Sequence, residues 1–118
     1  TSTLTSTFSL FAKDFLFSVH FSDCILDYAT FVKKKNKRAK FINCALKGAD
    51  FSGADLTLSV FSRCDLSGAV FGRTMLAQVD FSEAYNFSID PELNNLRKAI
   101  FSHAGLSGLL HKYDIVVV

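Results

Sequence analysis

Tryptophan is absent, proline occurs once, and only one residue in five carries a charge. No apolar run approaches the roughly 18 residues that a membrane span needs, so no spanning segment is expected. The opening stretch TSTLTSTFSLFAKD lacks the basic region and the unbroken apolar region of a signal peptide. Three cysteines make an odd number in a chain of 118 residues, which argues against a secreted disulfide framework. The net charge of +2 is too small to imply a nucleic acid or an acidic partner for the chain as a whole. There is no phosphate loop, no G-x-G-x-x-G and no G-x-S-x-G. The expectation is one soluble, cytoplasmic, apolar-rich domain with no cofactor.

What the chain has instead is a period. Stepping by five from Phe11 to Leu106 meets 20 positions, of which 17 are Phe or Leu. Those two residue types make up 27 of the 118, so chance would place about five there. Two residues earlier in each step, 16 of 20 positions hold Ala, Cys, Ser, Thr or Val. The pattern is small-x-large-x-x. A period of five fits neither a helix at 3.6 nor a strand at 2. It fits a chain that turns a corner every five residues, so that four steps close a square coil of 20.

Phe21, Phe41, Phe61, Phe81 and Phe101 are 20 apart and should form one face of a stack. Phe11, Phe31, Phe51 and Phe71 should form the opposite face, with leucines on the other two. Cys24, Cys44 and Cys64 share one small inward register, so they are expected as a ladder of buried thiols. A straight ladder does not supply the tetrahedral convergence that zinc needs. Gly48, Gly53, Gly68 and Gly72 suit corners where positive φ is required. Asp50, Asp55, Asp65 and Asp80 fall on four different faces and cannot act as a catalytic pair. His20, His103 and His111 do not cluster, and no set of groups meets the geometry of an active site.

The steps Ala49-Asp50-Phe51, Ala54-Asp55-Leu56 and Cys64-Asp65-Leu66 resemble the pentapeptide-repeat family, whose steps read A-(D/N)-L-x-x. The resemblance covers residues 11 to 106. It implies an all-β fold, a right-handed quadrilateral parallel β-helix, here of about five coils over residues 9–105. Residues 1–8 are expected as an irregular cap or truncated coil. Residues 106–118 are expected as a short helix, over about 106–112, followed by an extended tail.

The register breaks twice within the repeat. Over Val32–Lys40, Asn36 takes a large position and Lys34 a small one, so the coil should bulge or swing its lysines outward. Over Asn86–Pro91 a corner or short loop is expected, because proline cannot donate to a ladder. Lys33, Lys34, Lys35, Lys37, Arg38 and Lys40 form the one concentrated charge. This candidate patch for an anionic partner lacks the interleaved aromatics that would stack bases, so direct nucleic-acid binding is not expected. A solvated edge that blocks unwanted pairing would use lysine in the same way.

The tail looks like that of quinolone-resistance-type members. The tail can serve as a cap that covers the open end of the β-helix within one chain, whereas the resemblance implies a homodimer through Leu106, Leu109, Leu110, Tyr113, Ile115 and Val117. The function expected is a non-catalytic, rigid macromolecular interaction module. The alternative, from the same bacterial relatives, is a DNA mimic that modulates a type II topoisomerase such as DNA gyrase and protects it from quinolones or toxins. That mechanism needs an acidic rod, whereas this chain is net positive and its aspartates are spread around the coil.

Overall fold

The computed structural model describes Ser2–Thr3 and residues 19–118. The irregular cap expected over 1–8 and the inward positions of Phe11 and Leu16 lie outside the described residues. The exception is the backbone of β1 (Ser2–Thr3), which pairs in parallel with β3 (Cys24–Ile25).

The repeat winds as a coil of 20 residues. Strands β2 (His20–Ser22), β4 (Lys40–Ile42) and β5 (Val60–Ser62) lie side by side in parallel, with His20 against Lys40 and Lys40 against Val60. This column continues as single bridges from Val60 to Asp80 and from Asp80 to Ile100. Three further columns run alongside it: Ile25–Ala45–Asp65–Tyr85, Thr30–Asp50–Val70, and Lys35–Asp55–Met75–Asn95. The four columns define four faces, named here by the inward residue beside each: Phe21, Leu26, Phe31 and Asn36. The molecule is an all-β, quadrilateral parallel β-helix.

The hydrogen bonds show why period five closes the square. The N–H of most large residues donates to the next coil, as Leu26 does to Ala45 O (2.7 Å) and Phe31 to Asp50 O (2.7 Å). At most corners the small residue three positions on donates back to the large residue's carbonyl, as Ala49 does to Leu46 O (3.1 Å). That bond closes a four-residue turn whose third residue has positive φ at most of these corners, as in a type II turn. Gly48, Gly53 and Gly68 take this position at φ 67 to 69°. Gly72 does not. The residue after it, Arg73, does so at φ 53°. Tyr28, Lys33, Arg38, Leu58 and Gln78 hold equivalent corners with φ 58 to 65°. Glycine is therefore optional at these corners.

Inside, two phenylalanine columns face each other across the axis. Phe41 and Phe61 stack at 4.9 Å between ring centroids, and Phe31 and Phe51 at 4.9 Å. Across the axis Phe31 meets Phe41 edge-on at 5.8 Å, and Phe51 meets Phe61 edge-on at 5.7 Å. Offset-stacked and edge-to-face contacts are the arrangements the ring quadrupole favours, each worth about 0.5–1.5 kcal/mol beyond burial. Leu26, Leu46 and Leu66 fill one remaining face, and Leu56 and Leu76 the other, all fully buried.

Neither interruption breaks the coil. Over 32–40 the backbone stays in register: Lys33 N donates to Ser52 O, Asn36 N to Asp55 O and Arg38 N to Thr57 O, each at 2.9 Å. There is no bulge and no projecting loop. Lys33, Lys35, Lys37, Arg38 and Lys40 are exposed and Lys34 is half-buried, while Asn36 takes the large inward position. At the second break the inward position slips by one residue, while Phe81 and Phe101 stay 20 apart and stacked. Asn86 turns outward at φ 62° and Phe87 takes the interior, 5.6 Å from the rings of both Phe81 and Phe101. Past Pro91, Asn94 restores the ladder. Its Nδ2 donates to Phe71 O and Asp90 O, both at 3.0 Å, and its Oδ1 accepts from Thr74 N.

The C-terminal helical turn differs from expectation. It is a 3-10 helix and starts at His103, not Leu106, running to Leu109, with a second short turn over His111–Tyr113. Ser102 caps the first turn by accepting from Gly105 N. Gly105 and Gly108, three apart, lie on one side of it and press against Phe87. A Cβ on Gly108 would stand 2.5 Å from Phe87 O. Gly108 O accepts from Ile89 N (2.9 Å), and Leu109 packs on the core.

Candidate interaction surfaces

The polar side chains that looked chemically interesting have structural work at the corners. Asp50, Asp65 and Asp80 each accept the N–H two residues on, from Ser52 (2.9 Å), Ser67 (3.0 Å) and Ser82 (2.9 Å). Asp55 does the same for Thr57, at 3.1 Å from N and 2.7 Å from Oγ1. These are Asx-type turns, in which a short carboxylate mimics a backbone acceptor. Burial pushes the Asp65 carboxyl up, but the hydroxyl and N–H of Ser67 outweigh it and leave its pKa below the usual value. The four aspartates sit in four different columns and do not converge.

The inward small residues also share one role. Cys44 Sγ donates to Phe21 O (3.5 Å), Ser59 Oγ to Asn36 O (3.1 Å), Cys64 Sγ to Phe41 O (3.1 Å) and Thr74 Oγ1 to Phe51 O (2.8 Å). Each donor lies 23 residues after its acceptor, so a small polar group in one coil satisfies the turn carbonyl of the coil before it. Cys24, Cys44 and Cys64 are buried and unbridged. Hydrogen bonding to the Cys44 sulfur, then burial, push the Cys64 thiol up, which keeps it protonated. Among the described residues no three His, Cys, Asp or Glu side chains converge as a metal would require. His20 lies exposed in β2, whereas His111 Nδ1 is 2.9 Å from Ser88 Oγ at the other end.

Two surfaces remain. The first is the C-terminal cap. Lys112 Nζ bridges Asp90 (3.0 Å) and Glu92 (2.7 Å), and Tyr113 Oη donates to Glu92 (2.8 Å). The Glu92 N–H and the Lys112 ammonium hold the Asp90 carboxyl below its usual pKa, and Lys112 and Tyr113 do the same for Glu92. Beyond this latch, Ile115–Val118 are exposed, at 56 to 116% of full accessibility. Of the residues expected at a dimer contact, Leu109 is turned to the core. Leu110 is half-buried, and Leu106, Tyr113, Ile115 and Val117 are exposed. Sequence reasoning missed the latch because Asp90 and Glu92 are about 20 residues from Lys112, and only the coil register brings them together.

The second surface is basic. Lys34, Lys35, Lys37 and Arg38 lie along the Asn36 face, Lys33 at the corner before it, and Lys40 on the adjoining Phe21 face in β4. Among the described residues one acid sits in the next coil against them: Asp55, 3.7 Å from Lys37. Arg97 and Lys98 continue the Asn36 face three coils on. A groove of about 480 Å³ lined by Val19, His20, Arg38, Lys40 and Leu58 marks one edge of the patch.

A stack of square, five-residue steps with a buried phenylalanine column is the architecture of a pentapeptide-repeat solenoid. The family model for pentapeptide repeats (8 copies) matches residues 37–73 and 57–85, and this segment belongs to that family. HetL, a pentapeptide repeat protein involved in heterocyst differentiation regulation in the cyanobacterium Nostoc, superposes with a TM-score of 0.59 at 20% identity. The match covers 73% of this chain and 44% of HetL. This chain therefore spans less than half of HetL's length. Rfr23 of the cyanobacterium Cyanothece gives 0.49 at 14% identity, over 87% of this chain and 62% of its own. QnrB1, a plasmid-mediated fluoroquinolone resistance protein, gives 0.31 at 19% identity, over 89% and 73%. The structural assignment rests on HetL and extends to the fold. No curated protein matches the sequence.

Proposed function

We propose that the protein is a non-catalytic interaction module: a rigid β-helix that presents fixed outward positions to another macromolecule. The observation that carries this reading is the assignment of its polar groups. Asp50, Asp55, Asp65 and Asp80 pin corners and the inward thiols and hydroxyls satisfy turn carbonyls, and no three His, Cys, Asp or Glu side chains converge among the described residues. The outward side chains stand on a scaffold whose neighbouring coils are hydrogen-bonded at most corners among the described residues, which suits recognition by shape and charge. The reading places the module in the cytoplasm, where its three thiols stay reduced. It also takes the exposed Ile115–Val118 segment as the contact with a second copy.

The charge distribution disfavours the duplex-mimic alternative. The corner aspartates lie on four faces, and the most charged face is positive. The test is capture on immobilised protein, with partners identified by mass spectrometry, using the wild type and four variants that each reverse charges on one face. A partner retained by the wild type and lost with one face, while thermal melts stay unchanged, supports the module. Equal retention by all variants and by bare support would overturn it. A gyrase supercoiling assay run in parallel, with and without a fluoroquinolone, is expected to show no change. Protection would favour the topoisomerase reading instead.

A further inference from the structure

We propose that the basic belt at Lys33–Lys40 is a docking site for a flexible, acidic polypeptide segment that wraps around one coil. This rests on the interaction-module reading and names the partner's chemistry. The argument is geometric. The six cations belong to a single coil, yet they do not share a plane. Lys33 stands at the corner between the Phe31 and Asn36 faces, Lys34 to Arg38 lie along the Asn36 face and its far corner, and Lys40 is on the Phe21 face, around that corner. In a quadrilateral coil adjacent faces are roughly perpendicular. A planar anionic membrane or a stiff DNA duplex, with a persistence length of about 150 base pairs, can therefore meet one face at a time and leaves the belt's ends unengaged.

A flexible polyanion can follow the corner and meet all six. Of the two flexible kinds, a single-stranded nucleic acid gains much of its binding from aromatic platforms on which bases stack. The outward positions from Val32 to Lys40 hold no aromatic residue. An acidic peptide needs charge alone. The belt is also available to it. Lys33, Lys35, Lys37, Arg38 and Lys40 are exposed, and Asp55, the one described acid opposed to them, is half-buried and committed to its own corner through Thr57. Leu58 and Val19 beside Arg38 and Lys40 offer a small apolar footing within the groove at the turn of the belt.

The test uses the full chain and three probes: a fluorescent oligo-glutamate peptide, a DNA duplex of equal charge, and phosphatidylserine vesicles. Binding is read by anisotropy or co-sedimentation at two salt concentrations. The peptide is expected to bind at least about tenfold more tightly than the duplex at equal salt. Charge reversal at the belt's ends, Lys33→Glu with Lys40→Glu, should weaken peptide binding by about tenfold. Arg97→Glu with Lys98→Glu, on the same flat face but off the belt, should change it less than about threefold. Circular dichroism melts of both variants confirm that the coil is intact. Equal affinity for duplex or vesicle, or an equal loss in the Arg97 and Lys98 variant, would overturn the belt. A partner retained in the capture experiment by the Lys33 and Lys40 variant would overturn it too, while leaving the module reading standing.

Discussion

At the residue scale, Asn36 is the outlier. It sits in the row otherwise held by Leu56 and Leu76, is 1% exposed, and neither its Nδ2 nor its Oδ1 has a hydrogen-bond partner. A buried amide without partners costs about 1–3 kcal/mol. Asn36→Leu should therefore raise stability by about that amount, read as a higher urea midpoint with an unchanged slope. A lower midpoint would show that the amide is satisfied in solution. The cysteines give a second residue-scale expectation. Ser59 and Thr74 bond a turn carbonyl from the same register as Cys64. Cys64→Ser should keep that bond and stay near wild-type stability, whereas Cys64→Ala leaves Phe41 O without it and should cost about 0.5–1.5 kcal/mol. Equal losses in the two variants would mean that size alone selects the residue there.

At the scale of elements, the coil and its latch behave differently. Phe61 stacks between Phe41 and Phe81, meets Phe51 edge-on and is fully buried. Phe61→Ala should cost about 3–5 kcal/mol, measured by denaturant unfolding. The latch is held by charge. Asp90 and Glu92 have depressed pKa values, so their contribution is present above the unfolded values of 3.8 and 4.5 and is lost as pH falls through the lower folded ones. Lys112 is raised, so its contribution is fully present below 10.5 and disappears only at still higher pH. The latch should hold across neutral pH and open in acid before the coil does. Amide exchange at Leu109–Tyr113 checks this. Protection that survives to the pH of global unfolding would show that Gly108 and Leu109, not the ion pairs, hold the cap.

The coil was legible in the sequence because its cause is local: a five-residue turn repeats its own chemistry, and the large residue announces it. The same locality hid three features. Lys34 and Asn36 looked like a break, but backbone bonds to the next coil do not depend on side-chain type. The corner role of Gly72 went to Arg73, the third residue of the Phe71–Thr74 corner, where an exposed side chain tolerates positive φ at a cost of about 1–2 kcal/mol. The end turn began at His103, since Ser102 caps it and glycines three apart favour a 3-10 spacing that a leucine pattern read as α-helical misplaces.

At the scale of the whole molecule, the proposed contacts with other chains rest on the exposed Ile115–Val118 segment and the basic belt. For the proposed dimer, charging Ile115 and Val117 to glutamate should give a monomer by light scattering, with the circular dichroism spectrum unchanged and the melting temperature no longer dependent on protein concentration. These two serve better than Leu109, whose substitution would also lift the cap. A wild type that is already monomeric at high concentration removes the dimer.

The four-sided winding has a further consequence, for how such a chain tolerates insertions. Each pentad advances the backbone by a quarter turn, so twenty added residues lengthen the shaft and leave every outer feature at its former azimuth. Five added residues between Lys40 and Asp80 would lengthen it less, yet would rotate the C-terminal end by about 90° relative to the lysines. Register on this molecule thus acts as an angular coordinate. A partner that touches both ends would sense the remainder of the insertion on division by twenty before it sensed any change in length.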